Sequence, residues 1–286
     1  MAGGSSLALS FGTMVTELLV VGGGQMGAAL VSGLLDAHWA LPEHVLITEV
    51  SASRRAELGQ AGGLTSRYAG LQVLDGELPL AKGVIVAVKP VDVEGVCRRI
   101  DASNRPRVLS IAAGVGIRSL ESWCPEGLPV VRAMPNVAAL VRAGATAIAG
   151  GSAAGAEDIN WATSIMGSVG RVVEVTEHLL DAVTGLSGSG PAYIFLVAEA
   201  MTEAGVLTGL PRAVAKDLVV QTLLGSARLL SETGEPAEVL RASVTSPGGT
   251  TAEGLRRLEA GGTRSAIIEA VVAAVRRSRE LGPADH

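Results

Sequence analysis

Residues Gly22-Gly23-Gly24-Gln25-Met26-Gly27 follow the pattern GxGxxG, whose glycines let a tight turn bring backbone N–H groups against the pyrophosphate of a dinucleotide. The pattern alone carries little weight, because with 37 glycines among 286 residues about 0.6 chance matches are expected. Its setting carries more. It directly follows the apolar run Leu18 to Val21 and opens a helical pattern through Met26, Leu30 and Leu34. There Gly22 permits the turn, Gly24 the close approach of a phosphate, and Gly27 tight packing of helix on strand, with the phosphates at the helix N-terminus. A second glycine-rich stretch, Ser246-Pro247-Gly248-Gly249-Thr250-Thr251, stands just ahead of a short helix carrying Leu255, Leu258 and Glu259. Its adjacent glycines expose backbone N–H groups and suit a small carboxylate, although they could equally shape a turn between helices.

Which dinucleotide the first motif takes stays open. Glu49 lies about 20 residues past the last glycine, where a carboxylate would accept the ribose 2′-hydroxyl of NADH. Arg54 and Arg55 follow closely and could pair with the 2′-phosphate of NADPH, or form a solvated helix face. The balance leans to NADPH. The four histidines and two cysteines, Cys97 and Cys124, lack metal-ligand spacing, so no metal is expected and the thiols read as reduced.

The elements that must position these residues show in the hydrophobic pattern. Leu18 to Val21, Val45 to Thr48, Val84 to Val88, Val108 to Ile111 and Val130 to Ala133 are apolar runs alternating with helical stretches. Unbroken runs mean strands covered on both faces, hence a doubly wound parallel α/β sheet. Ala145 to Ala149 and Val172 to Val175, with a helix from Ala156 to Met166 between them, would extend its far edge. After Thr176 the strand signal stops. Helices are expected over Pro191 to Ala204 closed by Gly205, Pro211 to Leu230, and Thr263 to Leu281 closed by Gly282. Ile194-Phe195-Leu196-Val197-Ala198 is apolar around the whole helix and calls for cover from a second chain. The expected division is a disordered lead-in over 1–14, a dinucleotide-binding domain over 15–175 and a helical, oligomer-forming part over 176–286.

Composition excludes other roles. A net charge of −5 has the wrong sign for phosphate-backbone binding, and 2% aromatics leave little to stack bases on, so no nucleic-acid partner is expected. No window is long and apolar enough for a membrane span, and the first residues lack the charged start of a secretory signal, so the expected location is cytoplasmic.

Further motifs point to one family: Ala87-Val88-Lys89-Pro90, Ala112-Ala113-Gly114 and Met134-Pro135-Asn136, each after a strand, then Gly185-Leu186-Ser187-Gly188-Ser189-Gly190-Pro191-Ala192-Tyr193 and the Ser246 to Thr251 stretch. Together they resemble pyrroline-5-carboxylate reductase from about Leu18 to Leu281. The resemblance implies a Rossmann-like N-terminal domain, an all-helical C-terminal dimerisation domain, and NAD(P)H-dependent reduction of pyrroline-5-carboxylate to proline, the last step of proline biosynthesis. It implies a homodimer through the C-terminal helices, with higher assembly of dimers left open. Loops after parallel strands lie at the carboxyl edge, where such sheets bind ligands, so Ala87, Val88, Lys89, Pro90, Ala112, Ala113 and Gly114 would line the cofactor.

The resemblance assigns the substrate carboxylate to the loop with Ser246, Gly248, Gly249 and Thr250, and to Thr251 a hydroxyl contact with the ring nitrogen. Asn136 by its position would contact cofactor or substrate. Lys89 could instead be a strand-end charge, Ser187 and Ser189 read as hinge and cap residues, and Tyr193 as a packed helix residue. Where the family often has Thr-Pro after Asn136, this chain has Val137 and Ala138. No His, Asp or Glu lies within the substrate motif, so the imine is expected to arrive protonated or to take its proton from water. A reductase of another cyclic imine, a hydroxyacid dehydrogenase, or a cofactor-binding sensor without turnover are the rival readings.

Overall fold

The computed structural model describes residues 16–281. The expected lead-in over 1–14 and the expected helix stop at Gly282 lie outside the described residues. The chain folds as two compact units, 16–183 with 279–281 and 184–278.

The first unit alternates strands and helices: β1 Thr16–Val21, α1 Gln25–Asp36, β2 Val45–Thr48, α2 Ala52–Gly59, α3 Leu64–Arg67, β3 Gln72–Leu74, β4 Ala81–Val86, α4 Val93–Cys97, β5 Arg107–Ser110, α5 Ile117–Trp123, β6 Val130–Met134, β7 Gly144–Gly150, α6 Ala156–Gly167, β8 Gly170–Glu174 and α7 Leu180–Val183. The strands form one sheet in the order β3-β2-β1-β4-β5-β6-β7-β8. All neighbours are parallel except β6 and β7, which run antiparallel with Met134 opposite Ala147. The first six strands thus take the Rossmann order, and the side on which strands are added switches between β1 and β4. The strand with residues 72–74 was not legible in the sequence, having three partly exposed residues and no apolar run. The strand expected over Val84 to Val88 begins earlier and ends at Val86, so that Ala87 and Val88 are free to cross the glycine turn.

Successive residues of β1 feed opposite sides. Leu18 and Val20 belong to one buried cluster with Leu30, Leu34, Ile165 and Met166, while Leu19 and Val21 belong to another with Val93, Val96 and Leu120. That two-residue period, buried on both faces, is why the run reads as continuously apolar. Cys97 and Cys124 are free thiols in the second cluster. Their mutual contact and burial hold Cys124 protonated, so they act as small core residues.

The second unit is helical: α8 Gly190–Leu207, α9 Arg212–Thr233, α10 Ala237–Ser243, α11 Thr250–Ala260 and most of α12 Thr263–Leu281, preceded by a wide turn at Thr184–Gly188. Contrary to expectation, Gly205 does not close α8. The helix runs on to Leu207, and the left-handed residue past its end is Gly209, φ +102°. Gly205 serves packing instead: a Cβ there would come within 2.9 Å of Ala215 Cβ, so its absence lets α8 and α9 close together. Likewise α9 continues past Leu230 to Thr233, where Gly234 takes the left-handed cap.

Candidate active site

The glycine turn sits at the carboxyl end of β1, where the strand order reverses. Gly22 has φ +107°, and a Cβ on it would come within 2.6 Å of the Ala87 carbonyl oxygen. Only glycine can stand where the turn after β1 meets the loop after β4. A Cβ at Gly27 would collide with the Gly22 carbonyl oxygen, so this glycine lets the first turn of α1 settle on the strand end. Gly24 differs. Nothing lies within 4 Å of where its Cβ would be, and no side chain caps α1. The open N-terminal turn around Gly24, Gln25 and Met26 is a place for an anion.

Glu49, just past β2, turns both carboxylate oxygens inward. One accepts the Gly23 N–H at 2.9 Å and the other the Ser51 N–H at 2.8 Å, tying the glycine turn to the start of α2. Arg54 completes this clasp: its Nε donates to the Gly23 carbonyl oxygen at 2.7 Å and its Nη1 to Glu57 at 2.6 Å. Arg55 braces the end of β2 through the carbonyl oxygens of Glu49 and Val50, and pairs with Asp75. Ser51 caps α2 by accepting the Arg54 N–H, and its hydroxyl lies 2.9 Å from that of Ser53. Sequence reasoning passed over these two serines. Their signal was a serine immediately ahead of a helix beside two arginines.

The remaining first-unit motifs also lie at the carboxyl edge. Ala87 and Val88 are half-buried, and Lys89 and Pro90 are exposed beyond them. After β5, Ala112 is buried and donates its N–H to Ser110 Oγ, Ala113 is exposed, and Gly114 has φ +75°. Asn136 accepts the Ala145 N–H on its side-chain oxygen at 3.1 Å, so it braces the entry to β7. Val137 and Ala138, the departure from the family pattern, open a 3-10 turn over Val137–Val141.

In the second unit, Gly248 takes φ +69° and Gly249 is the residue ahead of α11. A Cβ at Gly249 would strike Ser246 Oγ, and its N–H donates to the Ser246 carbonyl oxygen, which closes the loop into a compact turn. Thr250 and Thr251 are the first two residues of α11, both exposed, and no side chain caps the helix. Glu253 follows in the same first turn. It is bound by Arg256 at 2.6 and 2.8 Å and by Arg257, and the Arg256 guanidinium holds its carboxyl below the usual carboxylate range. Tyr193 OH donates to the Gly185 carbonyl oxygen, which makes it a brace for the wide turn.

Residues 177–281 match the family described as pyrroline-5-carboxylate reductase dimerisation, and residues 17–114 match NADP oxidoreductase, coenzyme F420-dependent. Over 94% of its length the chain is 42% identical to the pyrroline-5-carboxylate reductase of Synechocystis sp., covering 99% of that protein. The chain belongs to the pyrroline-5-carboxylate reductase family. The relative in Arabidopsis thaliana is 38% identical over 91% of this chain and 94% of its own length. A solved pyrroline-5-carboxylate reductase from Coxiella burnetii superposes with a TM-score of 0.85 at 36% identity, covering 94% of this chain and 99% of that one. A pyrroline carboxylate reductase from Plasmodium falciparum, solved with NADP bound, superposes with a TM-score of 0.78 at 29% identity over 94% and 98% of the two chains. The dimerisation match begins at 177, next to the Thr176 at which the strand signal ends, while the compact units divide after Val183.

Proposed function

We infer that the protein reduces 1-pyrroline-5-carboxylate to L-proline with NADPH, the closing step of proline biosynthesis. The observation that carries this reading is that one chain, 42% identical to a named reductase over 94% of its length, carries both an open, uncapped glycine turn at the reversal point of the sheet and the Ser246 to Thr251 loop. Bound NADPH supplies the hydride from nicotinamide C4. Residues 15–175 hold that cofactor, and 176–286 bind substrate and dimerise.

The backbone of Gly22, Gly23, Gly24, Gln25, Met26 and Gly27 holds the pyrophosphate. Ser51, Ser53 and Arg54 at the start of α2 receive the 2′-phosphate. Each oxygen of Glu49 accepts one backbone N–H, so it shapes the turn, and the hydroxyls and guanidinium at the start of α2 are what favour NADPH over NADH. Ala87, Val88, Lys89, Pro90, Ala112, Ala113, Gly114 and Asn136 line the nicotinamide side. The loop of Ser246, Gly248, Gly249 and Thr250 holds the substrate carboxylate, and Thr251 aligns the ring nitrogen. The hydride adds to the carbon of the C=N bond and the bond's electron pair goes to nitrogen, which a protonated imine accepts most readily. Glu253, the carboxyl nearest Thr251 in sequence, is kept ionised by its arginines and is no proton donor at neutral pH, so the substrate brings its proton or takes it from water.

The exposed apolar side chains of α8 and α9 support a homodimer through the C-terminal helices, with any larger assembly built from such dimers. Among the described residues no helix is long and apolar enough to cross a membrane. We place the protein in the cytoplasm, a reading supported by two free buried thiols. The test follows NADPH, and separately NADH, absorbance with pyrroline-5-carboxylate, wild type beside Thr251→Ala. Substrate-dependent oxidation that yields proline and falls in the variant is the expected result. Cofactor binding without oxidation would overturn the reading in favour of a sensor.

A further inference from the structure

Glu177 belongs to none of the sequence motifs and stands at the start of the turn Glu177–Leu179, yet its carboxylate joins three segments of the first unit. Oε1 accepts the Ile117 N–H at 2.5 Å and the Arg132 Nη1 at 3.1 Å. The Arg132 side chain is 9% exposed on β6, so its charge needs this partner. In register Arg132 lies beside Ser110, the last residue of β5. The loop from Ile111 to Gly116 is therefore held at both ends. Ser110 Oγ takes the Ala112 N–H at one end, and Glu177, itself fixed by Arg132, takes the Ile117 N–H at the other. Between these anchors lie exposed Ala113 and left-handed Gly114.

We propose that Glu177 is a positioning residue for the reaction: by holding the Ile117 N–H it sets the Ala112-Ala113-Gly114 loop against the nicotinamide half of the cofactor. This rests on the assignment of that loop under the proposed function. A shift of about 1 Å in such a loop misaligns hydride donor and acceptor and slows the chemical step.

The test compares Glu177→Ala and Glu177→Gln in the full chain. Gln drops the charge but keeps an oxygen for the Ile117 N–H. The readouts are kcat, KM for NADPH, and dissociation constants for NADPH and for 2′-phospho-ADP-ribose, which lacks nicotinamide. In Glu177→Ala, kcat is expected to fall about tenfold or more and NADPH affinity about fivefold, with the affinity for the fragment within about twofold of wild type. Glu177→Gln should recover most of kcat. Because Ala leaves a buried guanidinium alone, the double variant Glu177→Ala with Arg132→Met removes that charge as well, and it should still be slow. Wild-type kcat in either Ala-bearing protein overturns the proposal, as does equal loss of NADPH and fragment affinity, or a Gln variant as slow as Ala. If the wild type turns over no substrate, the functional reading fails instead, and the two dissociation constants still decide the role of Glu177.

Discussion

The two units of this chain use apolar side chains in opposite ways. In residues 16–183, Leu18, Ile47, Ile85, Leu109, Leu120, Ile148 and Ile165 are fully or almost fully buried. In residues 184–278, Ile194, Phe195, Leu196, Leu218, Leu224 and Ile268 are each more than half exposed, and the buried hydrophobic residues are Ala215 and Val219. The second unit does not lack apolar residues; within α8 the segment Ile194 to Ala198 is apolar around the whole circumference. The difference is geometric. The eight-stranded sheet presents two faces that helices of the same chain cover, whereas the helices of the second unit leave apolar faces exposed that the unit itself does not bury. The first unit completes a core by itself, and the second reserves its apolar surface for the proposed partner.

Three experiments would break or sharpen that contrast. The largest effect is expected from Phe195→Glu with Leu196→Glu, which puts charge on the exposed face of α8. If that face is the dimer surface, the dimer dissociation constant should rise about 10³-fold by sedimentation, and an unchanged dimer would refute the contrast. Next, Ile85→Ala in the first unit should cost about 2–5 kcal/mol in denaturant unfolding, by cavity formation. Leu224→Ala should cost less and, if a second chain covers this residue, show a Tm that depends on protein concentration.

Two smaller effects test the half-sites rather than the cores. Thr251→Ala should lower kcat/KM about 10- to 100-fold, the worth of a hydrogen bond to a charged group, and Thr251→Val should match it if the hydroxyl and not packing matters. Arg54→Ala should raise KM for NADPH about tenfold and leave KM for NADH nearly unchanged. Equal changes for both cofactors would mean that Arg54 acts by its clasp on Gly23 alone.

The first unit was more legible than the second for the same reason. Its strands are buried on both faces, so Leu18 to Val21 and Val130 to Ala133 stand out as unbroken apolar runs close to the observed elements. The strand Gln72–Leu74 escaped because it lies at the sheet edge, where parallel pairing to β2 and not composition makes it a strand. The antiparallel turn of β7 was equally hidden, since direction depends on where the chain re-enters the sheet. In the second unit Gly205 misled, because a glycine that lets two helices touch looks the same in sequence as one that ends a helix.

Local chemistry, then, was written in the chain itself. The glycine turn, the arginines after β2 and the Ser246 to Thr251 loop were all recognisable as motifs, because backbone conformation and residue type at adjacent positions define them. Tertiary structure decided the rest. That Glu49 spends both oxygens on backbone N–H groups, that Arg54 clasps Gly23, and that Glu177 reaches Ile117 and Arg132 from distant positions all depend on strand order. Such contacts form between residues far apart in sequence, and only the closing of the sheet brings them within hydrogen-bonding distance.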